Sequence, residues 1–300
     1  INNTEAVEAN VIIQWLPRGE DNSNPVSSDP INLPAGQSLR WENVLSGLFG
    51  LGPGSVGALK LMASRPSVIG MSRTYNLPEG KTAGTFGQGL PAVRTTEMIQ
   101  GTAPQRIIFL SENDDSRANV GCVNGSSDSV RINLGVFDAE GTFLETKTMD
   151  LGPYSNNQIN RVFRDYQPVN GYVEVWADSD DALCYCYGSM LDNLTSDPTT
   201  ILPQVPSDDV SFIPAAALAA GLEGAFFETD VDLNNAGSTD ITFRLVWLPR
   251  GEDNSEPVSS ETFSLAAGSG VRYANVLDEV FGLEPDQVGA LAVEASGSEL

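Results

Sequence analysis

The sequence predicts an all-β fold made of tandem sandwich modules, and three observations carry that prediction. Apolar and polar residues alternate in short runs, clusters of glycine, proline, asparagine and aspartate separate these runs, and one long segment occurs twice. Alternation with a period of two marks strands that bury one face. Short strands between closely spaced turn clusters are typical of β-sandwiches and not of alternating strands and helices.

Three runs show the alternation most clearly. In each of them every second residue is apolar, so one face of the strand is predicted to point into a core and the other to point outward. The inward residues are predicted to be Val130, Ile132, Leu134 and Val136 in one run, Phe243, Leu245 and Trp247 in another, and Val173, Val175 and Ala177 in a third.

A duplicated segment sets the domain organisation. The nine residues 15–23 recur unchanged as 247–255, and segments 1–68 and 233–300 align without a gap with 32 identities in 68 positions. Such a repeat dictates the architecture of a chain. Trp15 and Trp247 are therefore predicted to lie buried in equivalent environments.

A weaker copy lies between the two halves of the duplication. Residues 119–124 resemble 230–235, so the repeat divides into two related modules of about 115 residues, the usual size of an immunoglobulin-like sandwich. We predict three immunoglobulin-like β-sandwich modules, at residues 1–100, 105–206 and 210–300.

The two outer modules are predicted to be incomplete. Relative to its copy, the first module lacks the opening strand that corresponds to 226–232, and the third lacks the closing strand that corresponds to 69–76. A sandwich without one strand has an unpaired edge. We therefore expect self-association, or contact with neighbouring repeats of the same protein, to complete these modules.

One short helix per module is predicted among the strands. Val44, Leu45, Leu48 and Phe49 have helical spacing, and Asn43 stands where an N-cap belongs. The pattern recurs at 275–281, and residues 159–163 resemble it in the second module.

The composition excludes several functions. The chain has 16 lysines and arginines against 40 acidic residues, a net charge of −24, which argues against binding nucleic acid or an anionic membrane. The most apolar stretch, 212–227, is too short to span a bilayer and contains Pro214 and Glu223. Without histidine the usual general base is missing, so we expect no enzymatic activity and, calcium aside, no cofactor.

The chain resembles secreted bacterial proteins with tandem immunoglobulin-like β-sandwich modules, of surface, filament or adhesin-like character. The residues that carry the resemblance are 229–235, 247–254, 72–76 with 84–88, and 192–193 with 196–199. The resemblance implies a secreted protein, extracellular or at the bacterial cell surface, with a non-catalytic structural or adhesive role. It brings no catalytic residues with it.

Acidic loops are the candidate cation sites. Calcium takes six to eight oxygen ligands, often from loops. The candidates are Glu20, Asp21 and Asn22, their copies Glu252, Asp253 and Asn254, and Asp178, Asp180 and Asp181. The alternative is that these residues form solvated turns that satisfy nearby backbone amides.

The three cysteines allow one disulfide. Cys184 and Cys186 are two residues apart on one predicted strand, and the strand that holds Cys122 is a candidate neighbour. A bridge from Cys122 to either partner fits an oxidising compartment. Three buried thiols are the alternative.

Aromatic side chains that are not on the predicted core-facing side of their strands are candidates for ligand binding. Trp176, Tyr185 and Tyr187 are such residues, and exposed aromatic rings can stack on sugars. Cross-strand aromatic pairing explains them equally well. The sequence therefore supports two hypotheses, a structural or adhesive segment of a β-sandwich array or filament, and a carbohydrate-binding array.

Overall fold

A computed structural model describes residues 1–76, 85–168, 170–206 and 210–296 of the chain. About half of the chain is in strands, and the strand pairs are antiparallel, so the predicted all-β fold class is confirmed. Within the described ranges no helix has the length and apolar character needed to cross a membrane. Gly84, one of the residues that carry the resemblance, and residues 297–300 lie outside these ranges.

The first module is centred on one long strand. Its elements are β1 (Asn2–Asn3), β2 (Ala9–Pro17), β3 (Val26–Ser27), β4 (Ile31–Leu33), α1 (Val44–Phe49), β5 (Gly57–Ala63), β6 (Val68–Ile69), β7 (Met71–Asn76) and β8 (Phe86–Pro91). Strand β2 pairs with β3, β4 and β5, while β1 pairs with β6 and β7 with β8.

The second module has two sheets that share one apolar core. Its elements are β9 (Ile99–Gln100), β10 (Gln105–Leu110), β11 (Ser116–Asn124), β12 (Val130–Asp138), β13 (Phe143–Leu151), β14 (Asn156–Ile159), β15 (Gly171–Ala177), β16 (Leu183–Asp192) and β17 (Pro198–Ile201). One sheet has the order β10-β15-β12-β13, and the other has the order β14-β11-β16-β17 with β9 also on β16. The predicted boundary places residues 99–100 in the first module, but in the structure they pair with β16 of the second module.

The third module contains the second copy of the duplicated segment, and two strands, β18 (Ser211–Ala220) and β19 (Phe226–Phe227), precede that copy. Its other elements are β20 (Val231–Asn234), β21 (Ile241–Pro249), β22 (Val258–Ser259), β23 (Phe263–Leu265), β24 (Gly270–Tyr273), α2 (Val276–Glu279) and β25 (Gln287–Ser296). The larger sheet has the order β19-β18-β25-β21-β22, with β23 also on β21, and β20 pairs with β24.

Buried apolar side chains form three separate clusters, one in each module. Trp15 and Trp247 are only 5% and 2% exposed, which confirms their predicted burial. The predicted inward face of β12 is also confirmed. Its four alternating apolar residues are all buried: Val130, Ile132, Leu134 and Val136.

A glycine makes room for each of the two tryptophans. A Cβ atom on Gly57 would lie 2.7 Å from the Trp15 ring, and one on Gly289 would lie 2.6 Å from the Trp247 ring. Real Cβ atoms do not approach that closely, so the glycine is required where the ring packs on the neighbouring strand. The recurrence of Val-Gly-Ala-Leu in both copies thus has a packing cause.

The predicted helix is present in the outer modules and absent from the second. Helices α1 and α2 lie where the spacing placed them, although α2 is shorter than predicted. In the described part of the second module the corresponding residues form hydrogen-bonded turns, with Arg164 N donating to Arg161 O at 3.0 Å. Arg161 and Gln167 both have a φ of 52°, in the left-handed region. The residues between them close into turns, with Tyr166 N donating to Phe163 O at 2.9 Å.

Candidate functional site

One buried asparagine anchors the same loop in all three modules. Asn3, Asn124 and Asn235 are at most 1% exposed. Each donates from Nδ2 to the carbonyl four residues further on, at 2.7, 2.7 and 2.9 Å. Each also donates to a loop across the end of the sandwich, at 3.3, 2.8 and 3.1 Å. We call these loops the receiving loops: residues 34–38, 152–156 and 266–270.

A turn follows the long central strand of every module. We call these turns the docking turns: residues 17–22, 138–141 and 249–254. The first and third have the same sequence and the same internal bonds, since Asn22 Nδ2 donates to Pro17 O at 3.2 Å and Asn254 Nδ2 donates to Pro249 O at 3.1 Å. The duplicated sequence therefore specifies one loop geometry in two places.

Two of the predicted cation ligands in these turns accept hydrogen bonds from their own turn. The carboxylate of Asp21 accepts from Ser23 N at 2.8 Å, and that of Asp253 accepts from Ser255 N at 3.0 Å. Hydrogen bonds from the two serines hold the pKa of each carboxyl below its usual range. Both turns have the form of an Asx turn.

The remaining candidates in these turns do not converge on one point. Glu20 and Glu252 are exposed, and the side-chain amides of Asn22 and Asn254 point their hydrogens at carbonyls. Within the ranges that the structure describes, no group of three or more acidic, cysteine or histidine side chains is placed to hold a metal ion. Calcium binding at these turns remains a prediction.

The first docking turn lies against the receiving loop of the second module. Gly19 N donates to Asn156 O at 2.8 Å, and Asn22 N donates to Pro153 O at 2.9 Å. The Asn22 side chain also donates to Tyr154 O at 3.2 Å and is 3% exposed. Because backbone groups make most of these bonds, the contact depends on the shape of the turn.

Side chains reinforce this first junction. Asn156 Nδ2 donates to Leu16 O at 2.9 Å in a buried bond. Lys60 Nζ lies 3.7 Å from the centre of the Tyr154 ring, a cation–π distance. In the third module Asn254, the copy of Asn22, is exposed. The same nine residues are therefore covered in one copy and open in the other.

The second junction uses the corresponding segments of the next pair of modules. Gly270 N donates to Ala139 O at 2.7 Å, and Tyr172 Oη donates to Gly268 O at 2.8 Å. A Cβ atom on Gly141, where φ is 79°, would lie 2.7 Å from Gly268 O. A docking turn thus meets a receiving loop at both junctions.

A half-buried arginine adds charge to the second junction. Arg272 donates to Asp232 at 3.1 Å, to Ser111 Oγ at 2.6 Å and to Asn170 Oδ1 at 3.2 Å, and it lies 4.3 Å from the Phe109 ring. Burial raises the pKa of Asp232 to about 7, and the attraction of Arg272 opposes this only in part. The bonds join the second module to the third.

A second arginine bridges the same two modules. Arg106 pairs with Glu174 at 2.7 Å, stacks over the Tyr172 ring at 4.7 Å and donates to Asn235 O at 3.0 Å. Neither arginine is predicted from the sequence as part of a contact between modules. Arg272 recurs as Arg40 in the duplication, so a signal was present, but it did not indicate the contact across modules.

The three aspartates of the acidic turn in the second module do not share a common partner. Asp178 accepts a hydrogen bond from the Asn133 amide. Asp180 accepts from Thr102 Oγ1 at 3.2 Å, and Asp181 is exposed. These contacts are those of a structured turn, and a cation at this position remains a prediction.

The cysteines form one disulfide, between Cys122 and Cys186. These two residues face each other directly in the register of β11 and β16. Cys184 is a buried free thiol, and burial raises its pKa to about 11. Of the two partners that the sequence left open, the register selects Cys186.

The three candidate aromatic residues lie on two different sheets. Trp176 is on β15, while Tyr185 and Tyr187 are on β16, and their inward-facing neighbours belong to one core. Trp176 and the tyrosines therefore cover opposite outer faces of the sandwich. Tyr187 also lies over Gly121, where an added Cβ would come 2.7 Å from the ring. The structure does not bring the three rings together, and sugar binding remains a prediction.

Comparisons with known proteins do not assign the chain to a family. No protein-family model and no curated protein matches the chain. A solved bacterial adhesin from Mobiluncus mulieris, which contains intramolecular disulfide, isopeptide and ester bond cross-links, is similar at 10% identity over 67% of this chain and 99% of that chain. Its TM-score is 0.13, and a likeness at that level carries no argument.

Proposed function

We propose that the chain is a non-catalytic extracellular protein with a structural or adhesive role, which acts through β-sandwich modules docked in series. One observation carries the proposal: both junctions join a docking turn to a receiving loop. A contact that is built twice from corresponding segments holds neighbouring modules in a defined orientation. Flexibly linked modules need no such bonds.

The chemistry of the chain supports an extracellular location. Disulfides such as Cys122–Cys186 form and persist in oxidising compartments. The net charge of −24 keeps a protein soluble and repels nucleic acid and anionic lipid. The candidate acidic residues lie in separate turns, in keeping with a role that requires no catalytic centre.

The proposal is tested at a pair of matched glycines. Gly141 and Gly251 occupy docking turns with nearly equal φ values, 79° and 78°, so an alanine strains both turns alike. Only at Gly141 does the added Cβ meet another module, because Gly251 has no atom within 4 Å. The difference between the two variants therefore reports the junction alone.

We expect Gly141→Ala to loosen the second junction and Gly251→Ala to leave it docked. Small-angle X-ray scattering of the full chain measures this as a broader distribution of radii of gyration for Gly141→Ala only. A flexible wild-type chain, or two variants with the same profile as the wild type, would contradict a function based on docked modules.

A further inference from the structure

The second module has a neighbour on each side, and one of its sheets keeps an exposed outer face. The first module lies over the sheet β14-β11-β16-β17, because β5 is against β14 and β8 is against β17. Ser189 Oγ of β16 donates a hydrogen bond to Gln88 of β8 at 2.8 Å. The sheet β10-β15-β12-β13 contributes Arg106 and Tyr172 to the contact with the third module. The rest of its outer face is exposed although both neighbours are in place.

Aromatic side chains form a continuous surface on this outer face. Phe137 stacks on Tyr172 with 4.8 Å between the ring centres, and Phe143 packs edge-on against Phe137 at 5.6 Å. Trp176 approaches Phe137 above Gly135, where an added Cβ atom would lie 3.0 Å from the Phe137 ring and 3.2 Å from the Trp176 ring. We call this surface the aromatic face: Phe137, Phe143 and Trp176, on three adjacent strands.

The aromatic face is accessible to a ligand. Phe143 is 56% exposed, and Phe137 and Trp176 are half-buried. A side chain at Gly135 would push the Phe137 and Trp176 rings apart, so the glycine keeps the surface continuous. A contiguous apolar patch that stays exposed on a folded protein is typical of a binding surface.

Hydrogen-bonding side chains lie beside the rings. The register of β12 and β13 places Thr146 opposite Gly135 and Thr148 opposite Asn133, and both threonines are exposed. Asn133 lies directly opposite Trp176 of β15. Ligand sites combine apolar and aromatic surface with a few polar groups that fix orientation. A sugar ring uses both, since it has apolar C–H faces and hydroxyl groups around its edge.

The polar end of this outer face opens into a depression. Its volume is about 310 Å³, and Arg131, Asp150 and Asp178 are among the residues that line it. Arg131 Nε donates to Asp150 Oδ1 at 2.7 Å, and Asp178 accepts a hydrogen bond from the Asn133 amide. Ligand-binding cavities have volumes from about this size upward. The two carboxylates can accept further hydrogen bonds from hydroxyl groups.

The charges around the aromatic face favour an uncharged ligand. The chain has a net charge of −24, but the aromatic face and the two threonines beside it are uncharged. Charged side chains at its borders are paired, Arg106 with Glu174 and Arg131 with Asp150. An anionic ligand would approach against the field of the whole chain, whereas a neutral one meets no such repulsion.

We propose that the aromatic face binds a neutral polysaccharide built from equatorially linked pyranose rings. This inference rests on the proposed adhesive role and names the ligand class for it. Trp176 and Phe143 stack on the apolar faces of sugar rings, and Thr146 and Thr148 hydrogen-bond to hydroxyl groups at their edges. The site extends along β12 from position 133 to position 137, about 13 Å of strand, so it engages more than one sugar ring.

The test titrates the full chain with three neutral hexamers, cellohexaose, mannohexaose and chitohexaose, by isothermal titration calorimetry. We expect binding to at least one of them. Phe143→Ala and Trp176→Ala should each weaken that binding by about fivefold or more, because each removes a large aromatic contact. Tyr185→Ala is the matched control and should leave the affinity unchanged, since Tyr185 is a half-buried aromatic residue on the other sheet.

A charged probe tests the preference for neutral ligands. Oxidised cellohexaose, in which every ring carries a carboxylate, should bind about tenfold more weakly than the neutral hexamers or not at all. The proposal would be overturned by equal binding of the charged and neutral hexamers, by no binding of any neutral hexamer, or by equal affinities of the wild type and the Phe143→Ala variant. Phe143 is exposed, so its variant is expected to fold even if Trp176→Ala does not.

Small-angle X-ray scattering separates this site from the docked modules. Phe143→Ala should scatter as the wild type does, because the residue is on an outer face and not in a junction. A docked wild type that binds no neutral hexamer would overturn the sugar site alone. A flexible wild type that still binds through Phe143 would support the sugar site and contradict the function based on docked modules.

Discussion

The first and third modules have nearly half of their aligned residues in common and yet bury them differently. Trp15 and Trp247 are both in a core, but Leu59 is exposed where Leu291 is not. The tryptophans contact strands within the duplicated segment, whereas Leu291 also depends on β18, which lies outside it. Local sequence therefore fixes the register and the turn, while the presence of a neighbouring strand decides how much of the apolar surface is buried.

The largest expected effect comes from truncating the two copies of one leucine. Leu291→Ala should destabilise the third module by about 2–5 kcal/mol, because it opens a cavity in a closed core. Leu59→Ala should cost the first module roughly 1 kcal/mol or less, since water already reaches that side chain. Module-resolved hydrogen exchange in denaturant measures both free energies of unfolding. Equal costs would show that the two cores do not differ as described.

The pH dependence of stability should differ between the first and third modules because of Asp232. The buried polar side chains of the first module's described residues are neutral, whereas in the third module the Asp232 side chain is only 3% exposed. Burial raises the folded-state pKa of Asp232 to about 7 from an ordinary value of 3.8, so the folded state binds the proton more tightly than the unfolded state. The stabilisation from protonation is complete below about pH 4 and is lost as the pH rises through 7.

Asp232→Asn should remove this dependence. Between pH 5 and pH 8 the wild-type third module should lose roughly 1–2 kcal/mol that the variant keeps, at about 1.4 kcal/mol per pKa unit before relaxation is allowed for. Unfolding followed at both pH values measures the difference. A wild type that is more stable at pH 8 than the variant would mean that the ion pair with Arg272 outweighs burial.

The smallest expected effect separates the two helix starts. Asn43 accepts a cap bond from Ser46 N, so Asn43→Ala should cost the first module about 1 kcal/mol. Asn275 makes no cap bond of this kind and has a φ of 50°, a conformation that glycine adopts freely. Asn275→Gly should therefore be close to neutral. Thermal unfolding of both variants, compared with Asn43→Gly, measures the contrast, and a neutral Asn43→Ala would contradict it.

Much of the fold follows from the sequence because it depends on local pattern. Alternation is enough to orient Val130 and Ile132 inward, and the duplication is enough to bury both tryptophans. The missing helix of the second module has a different origin. There the chain around Phe163 turns with left-handed residues, and apolar spacing alone does not reveal backbone conformation.

The candidate site was harder to predict because it depends on contacts that are distant in sequence. Gly19 N donates to Asn156 O, and the two residues are separated by more than the length of one module in the sequence. A local sequence pattern does not predict such a pair. The disulfide partner of Cys122 was undecided between Cys184 and Cys186 because both face the core, and only the strand register separates them. The three candidate aromatic residues are half-buried, and strand order places Trp176 on one sheet and Tyr185 and Tyr187 on the other.

The docking turn and the receiving loop are unlike surfaces, and this gives the chain a polarity. A surface that binds a copy of itself closes into a two-fold pair and stops there. A turn that binds an unlike loop instead makes a head-to-tail contact. Two modules joined by such a contact are therefore not interchangeable, because one contributes its docking turn and the other its receiving loop.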